Sequence, residues 1–166
     1  VLVQAPFEIT GSTVTAVVNV SGGNTTVANI PVSLVSPGVL EDVSNGRRAA
    51  VVIRSDGAAV TPATPARPGE HLRMYAIGLG QTSPTVYTNQ VGVPEQTVLA
   101  NIAVGLDNAG IEVVSATMAQ NLIGVYEITF VVPMSTTPGD HPLGFVMEAV
   151  PGQQVYANGS ILAVGQ

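Results

Sequence analysis

The chain has 166 residues, 46% of them apolar, enough for one packed domain or two small ones. Eleven carboxylates against five arginines and no lysine give a net charge of −6, so there is no basic stripe to neutralise a phosphate backbone and nucleic acid is not an expected partner. Cysteine is absent, which removes disulfides, thiolate nucleophiles and cysteine-type zinc sites together and leaves the redox compartment open.

The 18 glycines and 12 prolines, with only 10% charged residues and many Val, Thr, Ala and Ile, favour short strands between turns over long helices. No apolar run approaches the ~20 residues of a membrane helix, so membrane insertion is not expected. The N-terminus lacks the basic start of a signal peptide, so the signal of an exported protein would have been removed or lie outside this chain.

Period-two alternation then recurs along the chain. Over Thr13–Val20, Val14, Ala16, Val18 and Val20 share one face, and Thr13, Thr15 and Asn19 the other, as a half-buried strand requires. A Ser-Gly-Gly-Asn turn follows at 21–24, and Asp56-Gly57 marks a second turn. The Pro/Thr segment 61–70 pairs poorly because proline donates no backbone hydrogen bond, and it reads as an extended crossing between sheets. His71–Ile77 is a strand with Leu72, Met74 and Ala76 inward, and 82–96 is a long loop. Further strands are expected over 98–104, 111–118, 125–132 (Tyr126, Ile128, Phe130 and Val132 inward) and 143–149, with turns at 107–110, 138–140 and 151–152. The fold class expected is an all-β, immunoglobulin-like antiparallel β-sandwich.

An internal echo adds a second element of organisation. Residues 1–36 resemble 125–166 when Pro6 is placed on Pro133, Gly11 on Gly139 and Val27-Ala28-Asn29 on Tyr156-Ala157-Asn158. The expected domains are a partial β-domain of three strands at 1–41 and a complete sandwich at 42–166. Three strands with an apolar face need a cover: the second domain, upstream sequence, or another copy of the chain.

Several segments together carry a family resemblance: the Asp-Gly turn at 56–57, the Pro-x-x-Pro-Gly-Glu crossing at 65–70, the Gly-Leu-Gly at 78–80, Leu-x-Gly-x-Tyr-Glu at 122–127 and Val-Pro at 132–133. Over 37–166 the chain resembles the uncharacterised C-terminal β-sandwich domain of secreted proteins of Solibacter and other Acidobacteria, and the first 36 residues resemble the tail of a preceding copy. The resemblance implies an extracellular or cell-surface location and an immunoglobulin-like sandwich, and carries no enzymatic activity. Two positions depart from it: Glu127 stands where Gln is commoner, and Asp107-Asn108-Ala109-Gly110 replaces a Gly-Gly hairpin.

Candidate chemistry is sparse. Gly78-Leu79-Gly80 lacks the third glycine and the following helix of a nucleotide loop, so it reads as a glycine bend where a strand leaves its sheet. His71 and His141 have no ligand spacing and read as surface histidines, and no metal or cofactor is expected. Glu41-Asp42 and Asp107-Asn108 offer too few oxygens for a calcium loop. Paired carboxylates with an aromatic platform, as sugar chemistry needs, are not discernible among four scattered tyrosines and no tryptophan. Asn19, Asn24 and Asn158 sit in glycosylation acceptor patterns, which β-hairpins also produce by using Asn, Ser and Thr in turns.

The expected function is therefore non-enzymatic. It is a structural or assembly protein, such as a filament subunit joined by β-strand complementation, with self-association through β-edge contacts of the N-terminal half. The alternative is a non-catalytic accessory module that binds a carbohydrate-type ligand.

Overall fold

A computed structural model describes residues 3–44 and 46–166, and among these residues it is all-β, without helix. The strands are β1 (Thr13–Val20), β2 (Gly23–Pro31), β3 (Gly38–Val39), β4 (Glu41–Ser44), β5 (Arg47–Ala50) and β6 (Val52–Ile53). There follow β7 (His71–Ile77), β8 (Thr82–Ser83), β9 (Thr97–Val98), β10 (Asn101–Leu106) and β11 (Ala109–Ile111). The last are β12 (Val113–Met118), β13 (Val125–Val131), β14 (Gly139–Val150), β15 (Gln153–Tyr156) and β16 (Ser160–Val164).

Two sheets form a sandwich. One has the order β11-β10-β14-β16-β5-β4 with β15 beside β14; the other has β3-β7-β13-β12-β9-β8 with β6 beside β7. The named strands pair antiparallel except β16 and β5, which run parallel with Ile161 opposite Ala49. The core between the sheets follows the expected alternation: Leu72, Met74 and Ala76 of β7 lie beside Phe130, Ile128 and Tyr126 of β13, all fully buried. Leu143, Phe145 and Met147 of β14, with Leu162 and Val164 of β16, face them in the same hydrophobic cluster. Burying each such side chain contributes roughly 1.5–3 kcal/mol before chain entropy is counted.

Four connections turn the corner from one sheet to the other. These, each of one or two residues, lie at Leu40, Val51, Leu99–Ala100 and Glu112, the last two splitting the runs expected as single strands over 98–104 and 111–118, and 132–138 makes a fifth, longer crossing from β13 to β14. Corner backbone stays hydrogen bonded: Leu40 N–H donates to Tyr75 O, Val51 N–H to Leu40 O, and Val131 N–H to Glu112 O. The corners at Leu40 and Val51 therefore cost no unpaired amide, and the alternation stays intact on both sides.

The proline-rich crossing is held from below by Arg54. Its guanidinium donates to Glu70 Oε1 at 2.8 Å and to the carbonyls of Ala59, Thr64 and Pro65. Ala66, fully buried, bridges β16 through its own N–H and carbonyl, so the crossing closes one end of the sandwich.

Of the strands within 1–41, β1 and β2 pair only with each other, whereas β3 joins a sandwich sheet. The sandwich also takes in residues ahead of position 42, since Val35 is buried and β3 pairs with β7.

Candidate functional site

Residues 13–31 form a two-stranded antiparallel hairpin that belongs to neither sandwich sheet. Its tip is Ser21-Gly22, between Val20 and its partner Gly23, with Gly22 at φ +102°. Every residue from Thr15 to Asn29 is exposed. Among the described residues Val14 is only half-buried, and the burial expected for Ala16, Val18 and Val20 is not supplied: Val17 is 53%, Val18 54%, Val20 66% and Val27 53% exposed.

Pairing register sorts the ribbon into two faces. Val14 is opposite Ile30, Ala16 opposite Val27, Val18 opposite Thr25 and Val20 opposite Gly23, which makes one face almost wholly apolar. Thr15, Val17 with Thr26, and Asn19 with Asn24 make the other, mostly polar face. The register shifts between Val14 and Ala16, where Ala28 and Asn29 together oppose Thr15, and Asn29 takes φ +60°.

Both feet of the hairpin are fastened to the sandwich. On the N-terminal side, Gln4 Oε1 accepts from Asn89 N–H at 2.9 Å, and Phe7 N–H donates to Thr88 Oγ1 at 2.8 Å while its ring packs on the core. Glu8 accepts from the Thr88 N–H and hydroxyl, and these bonds hold its carboxyl below the usual carboxylate range. On the other side, Ser36 N–H donates to Gly78 O at 2.8 Å. Gly78 and Gly80, at φ +72° and +81°, lie so close to this strap that a Cβ on Gly78 would land on the Ser36 carbonyl, and one on Gly80 would come 2.7 Å from Leu34 O. The Gly-Leu-Gly is thus a bend that seats the hairpin's outgoing chain, and Tyr126 donates its hydroxyl to Gly80 O at 2.5 Å from beneath.

The hairpin has a counterpart in the sandwich. β14 returns through β15 and β16, and that return also shifts register: Ala157 N–H donates to Phe145 O, so that Asn158 and Gly159 together oppose Gly144. The Ala-Asn pairs matched in the sequence are thus one residue out of step in the fold, Ala28-Asn29 falling on Asn158-Gly159. Counting from these bulges equates Val14, Ala16 and Val18 with Leu143, Phe145 and Met147, and Ile30 with Ser160. The apolar face of the free hairpin thus matches the face that β14 and β16 turn into the core.

Other positions flagged by the sequence fall out as follows. Asn19 and Asn24 lie opposite each other near the hairpin tip and are exposed. Asn158 Oδ1 accepts from Val39 N–H at 2.7 Å and its Nδ2 donates to Val39 O at 3.3 Å, so the nitrogen that a glycan would modify is engaged in pinning β3. Glu41 holds Arg48 through two donors, and Arg48 first among its neighbours lowers its carboxyl pKa. His71 is exposed as expected, but His141 is a correction, being 8% exposed. Its Nε2–H donates to Thr137 O at 2.8 Å and its Nδ1 meets Asp107 Oδ2 at 2.6 Å. A carbonyl only accepts and a carboxylate only accepts, so the site suits the doubly protonated ring. Burial disfavours that charge, yet the bond to Asp107, the bond to Thr137 and the charges of Asp107 and Asp140 outweigh it and raise the His141 pKa. Asp107 and Asn108 form the two-residue turn between β10 and β11, both with positive φ, as a mirror-type hairpin turn requires.

Among the described residues, no three His, Asp or Glu side chains gather in a cluster that could hold a metal ion. Of the tyrosines, Tyr87 and Tyr156 are exposed, one in the loop after β8 and the other on β15 of the opposite sheet. A groove of about 260 Å³ lies at the hairpin's root between Ser33–Val35 and the β14–β15 tip, lined by Val150 and Val155. No family model, no curated protein and no solved structure matches this chain.

Proposed function

We propose that the chain is a non-catalytic structural module of an extracellular or cell-surface protein that assembles by β-strand complementation, with the β1–β2 hairpin as the donated element. One observation carries the reading: an amphipathic hairpin with an exposed valine face is held away from the sandwich by two fastened feet. An isolated hairpin is marginal in water, and open strand edges beside apolar surface recruit further strands. Covering the Val14, Ala16, Val18, Val27 and Ile30 side chains would contribute about 1 kcal/mol or more each. If the acceptor is another copy, the contact is head-to-tail, and such contacts propagate into filaments. The exported setting rests on the family resemblance.

The test is light scattering and negative-stain microscopy over a concentration series, beside amide exchange of the hairpin. The hairpin is expected to exchange freely in the dilute chain and to gain protection only where an acceptor covers its valine face, through self-association if that acceptor is another copy, and Val18→Asp to abolish the gain while leaving the unfolding of the sandwich unchanged. Monomers at every concentration, with a hairpin already as protected as the core, would sink the proposal.

A further inference from the structure

We infer that the hairpin's acceptor is an incomplete sandwich of the same build as residues 37–132, placed before residue 1 in the same polypeptide, which β1 and β2 close as β14–β16 close the sandwich seen here. This rests on the reading of the hairpin as a donated element and narrows the acceptor to one kind. Three observations carry it.

The first is the shared register. Both hairpins set two residues of the return strand opposite one of the outgoing strand, Ala28-Asn29 against Thr15 and Asn158-Gly159 against Gly144, and this shared register brings Val14, Ala16 and Val18 into the positions of Leu143, Phe145 and Met147. In the sandwich that hairpin is bracketed, with β10 pairing along β14 and β5 along β16, while the second sheet covers its apolar face. An acceptor for β1–β2 needs the same parts, two flanking strands and a facing sheet.

The second is area. A strand of 8 residues rises roughly 26 Å, and two strands at ~4.8 Å spacing present an apolar face of about 250 Å². Two copies stacked face to face would bury about 500 Å², well short of the ~1,200 Å² of a stable interface. Simple pairing of two hairpins is therefore insufficient, and an acceptor that also flanks both edges is required.

The third is occupancy and order. In a second copy of this chain the flanks of β10 and β5 are already filled by β14 and β16. Displacing that hairpin would put Ala16 where Phe145 fills the core and Val18 where Met147 does, leaving voids. In this chain the body precedes its closing hairpin, with 133–138 as the connection, and the Pro6-to-Pro133 and Gly11-to-Gly139 correspondence gives residues 6–11 the same place before β1. A body ahead of residue 1 restores that order.

The experiment joins residues 37–132, as a probe body, ahead of Pro6 of the chain, in two versions: the native hairpin, and Ala16→Phe with Val18→Met to refill the core. Amide exchange of 13–31 is compared with the unfused chain. The refilled fusion is expected to slow exchange there by roughly 100-fold or more as a monomer, with a smaller slowing in the native version. Adding Val14→Asp and Ile30→Asp should remove the slowing while β7 and β13 stay protected. No slowing in either fusion with the C-terminal sandwich folded would overturn the inference. So would protection of the unfused chain that appears only with self-association or fibres, a result that would uphold hairpin donation but place the acceptor in another copy.

Discussion

Replacing Gly78 by alanine tests how the hairpin is mounted. Gly78 has φ +72°, which costs an alanine about 1–2 kcal/mol, and its new methyl would fall on the Ser36 carbonyl oxygen. That oxygen belongs to backbone, so the strap at 34–37 must lift. Lifting it breaks the Ser36 N–H to Gly78 O bond, worth about 1 kcal/mol, and uncovers Val35, worth about 1.5 kcal/mol. Together the loss is about 4 kcal/mol, a large share of the stability of any domain this size. The comparison is Gly57→Ala, at φ +86° with open space around it, where only the backbone cost of about 1 kcal/mol applies. Urea unfolding of both variants gives the difference, and amide exchange at 34–40 shows whether the strap has come loose. Equal losses within about 0.5 kcal/mol would refute the close-approach account of the Gly-Leu-Gly.

Three further outcomes are expected. Because the His141 pKa is raised above 6.5 in the folded chain, the stability it adds is full below that value and falls away as pH rises through the folded pKa. Asp107→Asn should therefore cost about 1 kcal/mol near pH 6 and progressively less at alkaline pH, measured by unfolding across a pH series. Arg54→Met, which strips Glu70 and three carbonyls of their common donor, should cost about 2–3 kcal/mol and open 58–66 to thermolysin. Asn158→Ala should cost about 1–2 kcal/mol by releasing β3, and intact mass with peptide mapping should find any glycan on Asn19 or Asn24 and none on Asn158.

Much of the architecture was legible because burial leaves a period of two. Leu72, Met74 and Ala76, and Tyr126, Ile128 and Phe130, stand inward as the alternation requires. The corners at Val51 and Glu112 were not legible, since a chain that changes sheets between two well-bonded residues keeps its alternation. His141 was misjudged because its partners, Asp107 and the Thr137 carbonyl, are brought to it by the pairing of β14 with β10 and by the turn before β14, and a side chain's neighbours across a sheet are not in its local sequence. The bend at Gly-Leu-Gly is legible from its glycines, but its cause, the strap at 34–36 passing over it, is a contact between distant segments. The apolar face of Thr13–Val20 is plain in the sequence, whereas its exposure among the described residues shows only in the folded chain.

Residue-resolved amide exchange on the dilute monomer measures most directly whether the β1–β2 hairpin stands unpartnered on the sandwich. The expected result is that Val14–Ile30 exchange with opening free energies near zero to about 1 kcal/mol, while Leu72–Ala76 and Tyr126–Phe130 exchange only through global unfolding. Hairpin amides as slow as those of β7 and β13, in a chain shown to be monomeric, would contradict it.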